Sequence, residues 1–221
     1  ILNHKTNDII NGVDRTGNLY KYENVEFFIN HIGENYCHLV TSDGGFDYSG
    51  DYNSQETSSY KLIYCEIYTA LHIQKKDGAF IVKMFDLFSY KTIQLLYLLY
   101  NCYSLIEIYK PLTSRSSNSE KYIICSGFRE CPLEVKEVLK KYYNNCEELH
   151  IDIPDSFIEE MNVFNELFVN SQMKMIKEIL KMIKEKSVSE KEGPSIEQIT
   201  NAIKWCEDYN LPINEKCVFL K

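Results

Sequence analysis

The sequence predicts an α/β protein, with a largely parallel sheet in residues 1–130 and a helical extension over residues 131–221. Apolar runs of strand length alternate with helical periodicity as far as residue 125, and this alternation is typical of parallel sheets. From Pro132 onwards only helical patterns remain. The chain has 221 residues, 44% of them hydrophobic, which is enough for one substantial core and an appendage.

The predicted elements begin with a buried strand. Residues 36–42 form an apolar run that stops at Asp43-Gly44-Gly45, a pattern that indicates a strand ending in a tight loop. The following elements continue the alternation: a helix at 54–76, ended by Lys76-Asp77-Gly78, a strand at 79–85, a helix near 90–102 and a strand near 104–109.

The fourth strand, Tyr122–Cys125, is reached through a loop without helical periodicity. It is therefore expected to pair antiparallel at the edge of the sheet. The helical extension contains four patterns, at 133–147, 156–170, 172–186 and 195–209, the last introduced by Gly193-Pro194-Ser195 as start signal and cap.

Composition excludes several classes of protein. No apolar run reaches the roughly 18–20 residues needed to cross a bilayer, so a soluble intracellular protein is expected. The eight cysteines form no C-x-x-C pair and the five histidines no H-x-x-x-H, so neither a disulfide framework nor a metal site is predicted. The net charge of −8 argues against wholesale nucleic-acid binding, yet residues 83–129 carry six basic and three acidic side chains.

Polar residues at the strand ends are candidates for a site, because ligands of open parallel sheets bind beyond the carboxyl ends of the strands. Lys83 lies in an otherwise apolar strand, and a buried ammonium without a partner is strongly disfavoured. Asp43 and Glu120 are the natural carboxylate partners. From spacing alone, an equally good interpretation is a strand-end lysine that reaches solvent.

Several motifs follow one another along the chain. They are Ser42–Gly50 continued by Asn53–Glu56, Gly78–Phe88, Tyr97–Tyr100 and Lys110–Tyr122. In order and spacing they resemble the FtsJ-like ribose 2′-O-methyltransferases, most closely the mRNA cap branch of that family. The resemblance runs from Gly12 to Gly127 and continues more weakly through 164–170 and 205–212. It implies a Rossmann-like sheet, S-adenosylmethionine as methyl donor and a capped mRNA 5′ end as substrate.

The resemblance also implies catalytic residues. The family uses a Lys-Asp-Lys-Glu tetrad, and by motif match Asp43, Lys83 and Glu120 resemble its second, third and fourth members. A ribose hydroxyl is a poor nucleophile, so a base is needed, and Lys83 is the implied base. Neighbouring carboxylates favour the charged lysine, whereas burial, the sulfonium and the other lysine of the tetrad favour the neutral one.

Binding residues are implied in the same way. Gly17, Asn18 and Leu19 align with a segment, usually Gly-Asp-Ile, that touches the adenine of the cofactor, and Asp43 is a further cofactor residue. Here Asn18 replaces the aspartate, and an amide can both donate and accept hydrogen bonds.

The RNA-binding residues implied by the resemblance lie in two motifs. Asn53 and Asn118 match asparagines that hold the capped end, although each could instead cap its own loop. Arg115 and Lys121 are expected to contact phosphates.

Two family features, the glycine-rich cofactor loop and the first lysine, are expected upstream of the segment at Ile1, and no glycine-rich run precedes Asp43. One hypothesis is a cap 2′-O-methyltransferase completed by an N-terminal portion of the same polypeptide. The alternative is a non-catalytic FtsJ-like protein that binds RNA or acts as a scaffold. Abundant Asn, Lys, Tyr and Ile fit an AT-rich genome, such as that of a large DNA virus acting in the host cytoplasm.

Overall fold

The computed structural model describes residues 8–34, 36–48, 50–111, 114–145, 149–184 and 193–220. The helices are α1 (Tyr22–Ile32), α2 (Gln55–Ile73), α3 (Tyr90–Cys102), α4 (Leu133–Lys141), α5 (Asp155–Lys184) and α6 (Ile196–Asp208). The strands are β1 (Cys37–Ser42), β2 (Gln74–Met84), β3 (Tyr103–Tyr109) and β4 (Lys121–Phe128). None of the helices in these ranges combines the length and the hydropathy that crossing a membrane requires.

The described strands form one mixed sheet with the order β1-β2-β4-β3. β1 and β2 are parallel, whereas β4 is antiparallel to both β2 and β3. The α/β class and the antiparallel direction of the fourth strand are therefore confirmed, but its predicted place at the edge is wrong. Burial explains the order: Ile123 and Cys125 of β4 are fully buried, whereas β3 exposes Leu105 and Glu107.

The helix α2 connects the two parallel strands and is buried on all sides from Ile63 to Leu71. Its fully buried residues include Tyr64, Ile67 and Leu71. The helix ends at Ile73, three residues earlier than the sequence predicts, and β2 begins at once with Gln74. The buried Gln74 amide donates to the carbonyl of Cys37 (2.9 Å), so a hydrogen bond to β1 stabilises the extended conformation where a further helical turn was expected.

The described chain divides into two compact units. The first contains the sheet, α1 to α4 and the start of α5 up to Asn165, and the second consists of Lys110–Ser119 and the chain from Glu166. Leu139 and Tyr143 belong to the same buried core as the strands. Residue 131 thus marks the change to helices but not the end of the first core.

Aromatic side chains fill the part of this core that joins α1, α2 and the segment after α4. The ring of Tyr143 lies 4.9 Å from that of Tyr68 and 5.3 Å from that of Tyr22, measured between centroids. The Tyr143 hydroxyl donates to the carbonyl of Leu19 (2.6 Å), and the Tyr64 hydroxyl to the carbonyl of Leu139 (2.8 Å). The tyrosines therefore contribute both apolar area and satisfied hydrogen bonds to the interior.

The helices after residue 150 differ from the prediction in one respect. The separate helices expected at 156–170 and 172–186 form one continuous helix, α5. No glycine or proline interrupts its sequence, so nothing breaks the hydrogen-bond ladder. The predicted start of α6 is confirmed, because Ser195 and Gln198 form a reciprocal capping box.

Candidate active site

The parallel pair β1 and β2 brings Asp43 and Lys83 together. Ser42 is in register with Val82, so the next residue of each strand lies at the same edge of the sheet. The Lys83 ammonium forms an ion pair with the Asp43 carboxylate and donates to the Asp43 carbonyl oxygen at 3.3 Å. The Lys83 side chain is 14% exposed and that of Asp43 68%. A nearly buried ammonium thus contacts a carboxylate that remains open to solvent.

Glu120 lies on the same side of the sheet as Lys83. Lys83 pairs directly with Tyr122 on β4, and side chains two residues apart on a strand share a face. The Tyr122 hydroxyl donates to Glu120 Oε1 (3.2 Å). Burial, together with the negative charges of Glu120 and Asp43, raises the pKa of Tyr122 to about 12. Asp43 and Lys83 therefore form an ion pair, and Glu120 is bonded to Tyr122, the residue of β4 that pairs with Lys83.

Glu66 joins this cluster from α2 and was missed by the sequence reasoning. Its side chain is buried, and Oε1 accepts a hydrogen bond from the Gly44 amide (3.1 Å), immediately after Asp43. Burial raises the pKa of Glu66 to about 7, although the Gly44 amide and the positive charge of Lys83 act in the opposite direction. A charged residue within the apolar run Tyr64–Tyr68 was the signal available in the sequence.

The pKa of Glu66 predicts a pH dependence of stability. Since the pKa is raised in the folded state from 4.5 to about 7, the native carboxyl is stabilising while protonated, and this contribution is lost as the pH rises through 7. Glu66→Gln removes the titration. From about pH 5 to about pH 8 the free energy of unfolding of the wild type should fall by about 3 kcal/mol relative to Glu66→Gln.

Urea denaturation of both proteins across this range measures the difference. Comparing the two proteins cancels the other titrating groups. A difference that does not change with pH would mean that Glu66 has an ordinary pKa in the folded protein.

A second carboxylate connects two of the sequence motifs. Glu56, at the start of α2, accepts hydrogen bonds through Oε1 from the amides of Phe88 (3.1 Å) and Ser89 (2.8 Å). Ser89 is in turn the N-cap of α3 and accepts from the Thr92 amide. Glu56 therefore orders the loop that follows β2, next to the strand that carries Lys83.

The predicted phosphate contact of Lys121 is wrong. Its side chain is only 4% exposed, and Nζ donates to the carbonyl of Phe85 (3.1 Å) and lies 3.7 Å from Asp86 Oδ1. Burial lowers the pKa of Lys121. Lys121 pairs with Met84 and precedes Tyr122 on β4, so alternation directs it away from the Lys83 face. Its ammonium stabilises the turn after β2 instead of meeting solvent.

Lys121→Met should therefore affect folding and not RNA binding. The substitution removes the donor to the Phe85 carbonyl, and we expect the free energy of unfolding to fall by about 1–3 kcal/mol. The dependence of RNA affinity on salt should stay that of the wild type, because no phosphate contact is lost. The exposed Lys76→Met is the matched control for stability. A weaker salt dependence in Lys121→Met would restore the phosphate role.

The segment predicted to touch the adenine is an ordered loop. Gly17 adopts a positive φ of 69° and its amide donates to the carbonyl of Asn11 (2.8 Å). Asn18 Oδ1 accepts from the Tyr20 amide (2.9 Å), while the Asn18 carbonyl accepts from the side chain of Asn24 (3.1 Å).

The same loop contains a carboxylate, Asp14, that accepts several hydrogen bonds. Asp14 accepts hydrogen bonds from the Lys21 ammonium (2.6 Å), from Thr16 and from Asn24. These contacts, first of all the one with Lys21, hold the pKa of Asp14 well below its usual range. Asp14 therefore connects this loop to Lys21 and Asn24 at the start of α1.

The segment predicted to touch the adenine and the Asp43 loop are neighbours. The ring of Tyr20 lies 6.4 Å from that of Phe46, between centroids, and Phe46 follows Asp43 by three residues. The Asn18 side chain is exposed and the Asp43 carboxylate is open to solvent, each within a few residues of this ring contact. Amide and carboxylate groups suit an adenine and a positively charged sulfonium, so these residues fit the expected cofactor.

The predicted RNA-binding residues lie apart in the chain. Asn53 is exposed in the turn Tyr52–Ser54, and its amide donates to Asp51 Oδ1 (2.9 Å). Asn118 and the exposed Arg115 belong to the second unit. The Lys110 ammonium contacts both the carbonyl and the side-chain oxygen of Asn118. Asn118 therefore takes part in the hydrogen bonds of its own loop.

Comparison with known proteins gives the family. Residues 3–128 match the family model of the FtsJ-like methyltransferases. The cap-specific mRNA (nucleoside-2′-O-)-methyltransferase 1 of Xenopus laevis is 33% identical over 197 residues, 81% of this chain and 23% of the relative. An inactive cap-specific mRNA (nucleoside-2′-O-)-methyltransferase 1B of Caenorhabditis briggsae is 36% identical over 143 residues, 62% of this chain and 17% of the relative.

A solved structure is also similar. A ribosomal RNA methyltransferase of Plasmodium falciparum matches with a TM-score of 0.40 and 21% identity, over 56% of this chain and 62% of that chain. This chain spans about a quarter of the length of the curated relatives it matches. The family match covers more than half of the chain and includes Asp43, Lys83 and Glu120. The chain belongs to the FtsJ-like methyltransferase family.

Proposed function

We propose that this chain carries the catalytic edge of an S-adenosylmethionine-dependent mRNA cap ribose 2′-O-methyltransferase. The observation that carries the proposal is the ion pair between the nearly buried Lys83 and the open carboxylate of Asp43, with Glu120 on the same face. The 2′-hydroxyl of a cap-proximal nucleotide is the proposed acceptor of the methyl group.

Lys83 has two ways to assist this reaction. As a neutral amine it accepts the hydroxyl proton while the ribose oxygen forms its bond to the methyl carbon. As an ammonium it donates a hydrogen bond that orients the hydroxyl, and orientation alone supplies a large part of many rate enhancements. Asp43 fixes the position of Lys83 in both cases through its ion pair. The proposed role of Glu120 is to hold the hydroxyl from the side of β4.

The cofactor would be held by Gly17, Asn18 and Leu19 on one side and by Asp43 on the other. When bound, S-adenosylmethionine supplies an electrophilic methyl group on a sulfonium. The proximity of Tyr20 and Phe46 supports a shared site for these segments. Asn18 takes the place of the family aspartate at the adenine, with its exposed amide as donor and acceptor.

The glycine-rich loop and the first lysine of the tetrad are proposed to come from an N-terminal portion of the same polypeptide. Within the described part of the chain, β1 ends the strand order of the sheet. It exposes Leu39 by 58% and is preceded by the exposed Tyr36. An apolar strand edge of this kind is suited to pairing with a further strand.

RNA is the proposed macromolecular partner, and the capped 5′ end is its proposed recognition element. The exposed side chains of Asn53 and Arg115 are the proposed contacts, together with Asn118. Arg115 supplies positive charge for phosphates and Asn53 a polar group beside the start of α2. Action in the cytoplasm and an origin in a large DNA virus stay predictions.

A second function is favoured by one comparison. The Caenorhabditis briggsae relative carries the description inactive and is 36% identical over 143 residues, whereas the Xenopus relative is 33% identical over 197 residues. A non-catalytic protein that binds capped RNA or acts as a scaffold is therefore the alternative.

The test is methyl transfer by the full-length protein. Labelled S-adenosylmethionine is offered with cap-0 RNA, with the same RNA bearing a 5′-triphosphate, and with a ribosomal RNA fragment. The proposal expects label in the cap-0 RNA alone. Binding of capped RNA without transfer to any substrate would support the alternative, and labelling of the ribosomal fragment in preference to the capped RNA would replace the cap as substrate.

A further inference from the structure

We propose that Glu66 is a positioning residue of the methyl-transfer site, whose carboxylate holds the turn that presents Asp43 to Lys83. This inference rests on the proposed function and adds a residue from α2 that does not belong to the tetrad. In the proposed role, Glu66 does not contact the transferred methyl group or the ribose. It acts through the backbone of the turn that contains Asp43.

The contact between α2 and the turn is close and specific. Glu66 Oε1 accepts the Gly44 amide at 3.1 Å, one residue beyond Asp43. A Cβ atom on Gly44 would overlap with Oε1 of Glu66 and with the side chain of Leu62. The absence of a side chain at Gly44 therefore lets the turn approach the helix without displacing the Glu66 and Leu62 side chains. The direction of the Asp43 side chain follows from the conformation of this turn.

Accepting one amide hydrogen bond does not require a buried carboxylate. Glu66 is 7% exposed, and burial disfavours its ionised form. A glutamine could accept the same bond through its amide oxygen without a charge. The ionised carboxylate differs in two respects: it accepts the Gly44 bond more strongly, and it places a negative charge near Lys83.

The groups facing Glu66 come from three elements. The end of β1 contributes Ser42, the loop after it contributes Asp43 and Tyr48, and β2 contributes Lys83. Among these four described side chains, Lys83 is the one that carries a positive charge. Ionisation of Glu66 therefore strengthens both the hydrogen bond to the turn and the attraction to the lysine that the turn serves.

The kinetic test uses Glu66→Leu and Glu66→Gln in the full-length protein with cap-0 RNA. Glu66→Leu removes the acceptor, and we expect kcat to fall by about 10–100-fold while KM for RNA changes by less than about threefold. Glu66→Gln keeps the acceptor and should rescue kcat to within about fivefold of the wild type. The ratio of wild-type to Glu66→Gln kcat should rise as the pH increases through about 7.

Thr69→Val is the matched control. Thr69 is also buried on α2, but its hydroxyl donates to the carbonyl of Cys65 within the same helix and not to the turn. It should lower stability without lowering kcat. An unchanged kcat in Glu66→Leu, or an equal loss in Glu66→Leu and Thr69→Val, would overturn the positioning role.

A second measurement detects the hydrogen bond between the Gly44 amide and Glu66 and does not depend on methyl transfer. Carbonyl-¹³C aspartate and ¹⁵N glycine labelling selects glycines that follow aspartate, which in this sequence are Gly44 and Gly78. The Gly44 amide proton should titrate with a midpoint near pH 7 in the wild type and lose this titration in Glu66→Gln. A Gly44 signal that shows no such titration would overturn the contact.

An inactive wild type would have a different meaning, because it would reject the proposed function and the positioning role with it. The Gly44 titration would still decide whether the contact between Glu66 and the turn exists.

Discussion

Replacing Lys83 with methionine is expected to lower the rate of methyl transfer to capped RNA by about 10²–10⁴-fold, the usual effect of removing a general base. Methionine keeps the length of the side chain, which is 14% exposed, but offers neither a proton acceptor nor a donor to the hydroxyl. The fold should tolerate the change because Asp43, the partner that loses its ion pair, is open to water. Radiolabelled transfer under single-turnover conditions measures the chemical step.

Two further variants separate the possible roles of Lys83. Arginine keeps the positive charge but cannot release its proton at neutral pH, so Lys83→Arg should be nearly as slow as Lys83→Met if the lysine acts as a base. Substantial activity in Lys83→Arg would indicate orientation by the charge alone. Lys76→Met, an exposed lysine at the far end of β2, should behave as the wild type. Full activity of Lys83→Met would remove Lys83 from the mechanism.

Tyr143→Ala is expected to have the largest effect on stability, lowering the free energy of unfolding by about 3–5 kcal/mol. Tyr143 is fully buried and packs against Tyr22, Tyr64 and Tyr68. Removing its ring leaves a cavity between α1, α2 and the segment after α4. Urea denaturation monitored by circular dichroism measures the loss.

Tyr143→Phe separates the hydroxyl from the ring. It removes only the donor to the Leu19 carbonyl, so the expected loss is about 1–2 kcal/mol. Because Leu19 belongs to the proposed adenine segment, this variant should also weaken S-adenosylmethionine binding. The exposed Tyr36→Ala is the control and should change stability by less than about 0.5 kcal/mol. Equal stability of Tyr143→Ala and Tyr36→Ala would contradict the packing described for the first unit.

The approach of Asp43 and Lys83 could be predicted because it follows from local patterns. Asp43 directly follows the apolar run 36–42, Lys83 lies near the carboxyl end of the run 79–85, and parallel strands joined by one helix end at the same edge. The place of β4 could not be predicted in this way. Strand order depends on which strands pair, and it is the pairing of β4 with both β2 and β3 that makes it an inner strand.

The errors at single residues have a common physical origin. Lys121 and Glu120 are adjacent in a basic segment, but Lys121 donates to the buried carbonyl of Phe85 whereas Glu120 accepts from the Tyr122 hydroxyl. The composition of the segment does not show that the two side chains have different surroundings. Glu66 was missed for a similar reason, since its partner is a backbone amide 22 residues away and no motif connects the two.

The helix boundaries show a third limit. The end of α2 at Ile73 is set by Gln74, whose side chain contacts Cys37 on another strand. The helical periodicity continues beyond Ile73 in the sequence, but this tertiary contact favours the extended conformation there. In α5 the opposite occurred, because the two helices predicted at 156–170 and 172–186 form one uninterrupted helix.

The most direct test of the central claim compares two capped RNAs that differ in one oxygen atom. One has a ribose at the first transcribed nucleotide and the other a 2′-deoxyribose, and the full-length protein is supplied with labelled S-adenosylmethionine. If Lys83 and Asp43 serve methyl transfer to a 2′-hydroxyl at this nucleotide, label enters the first RNA and not the second. Equal labelling of the two RNAs, or labelling of neither, would contradict the account.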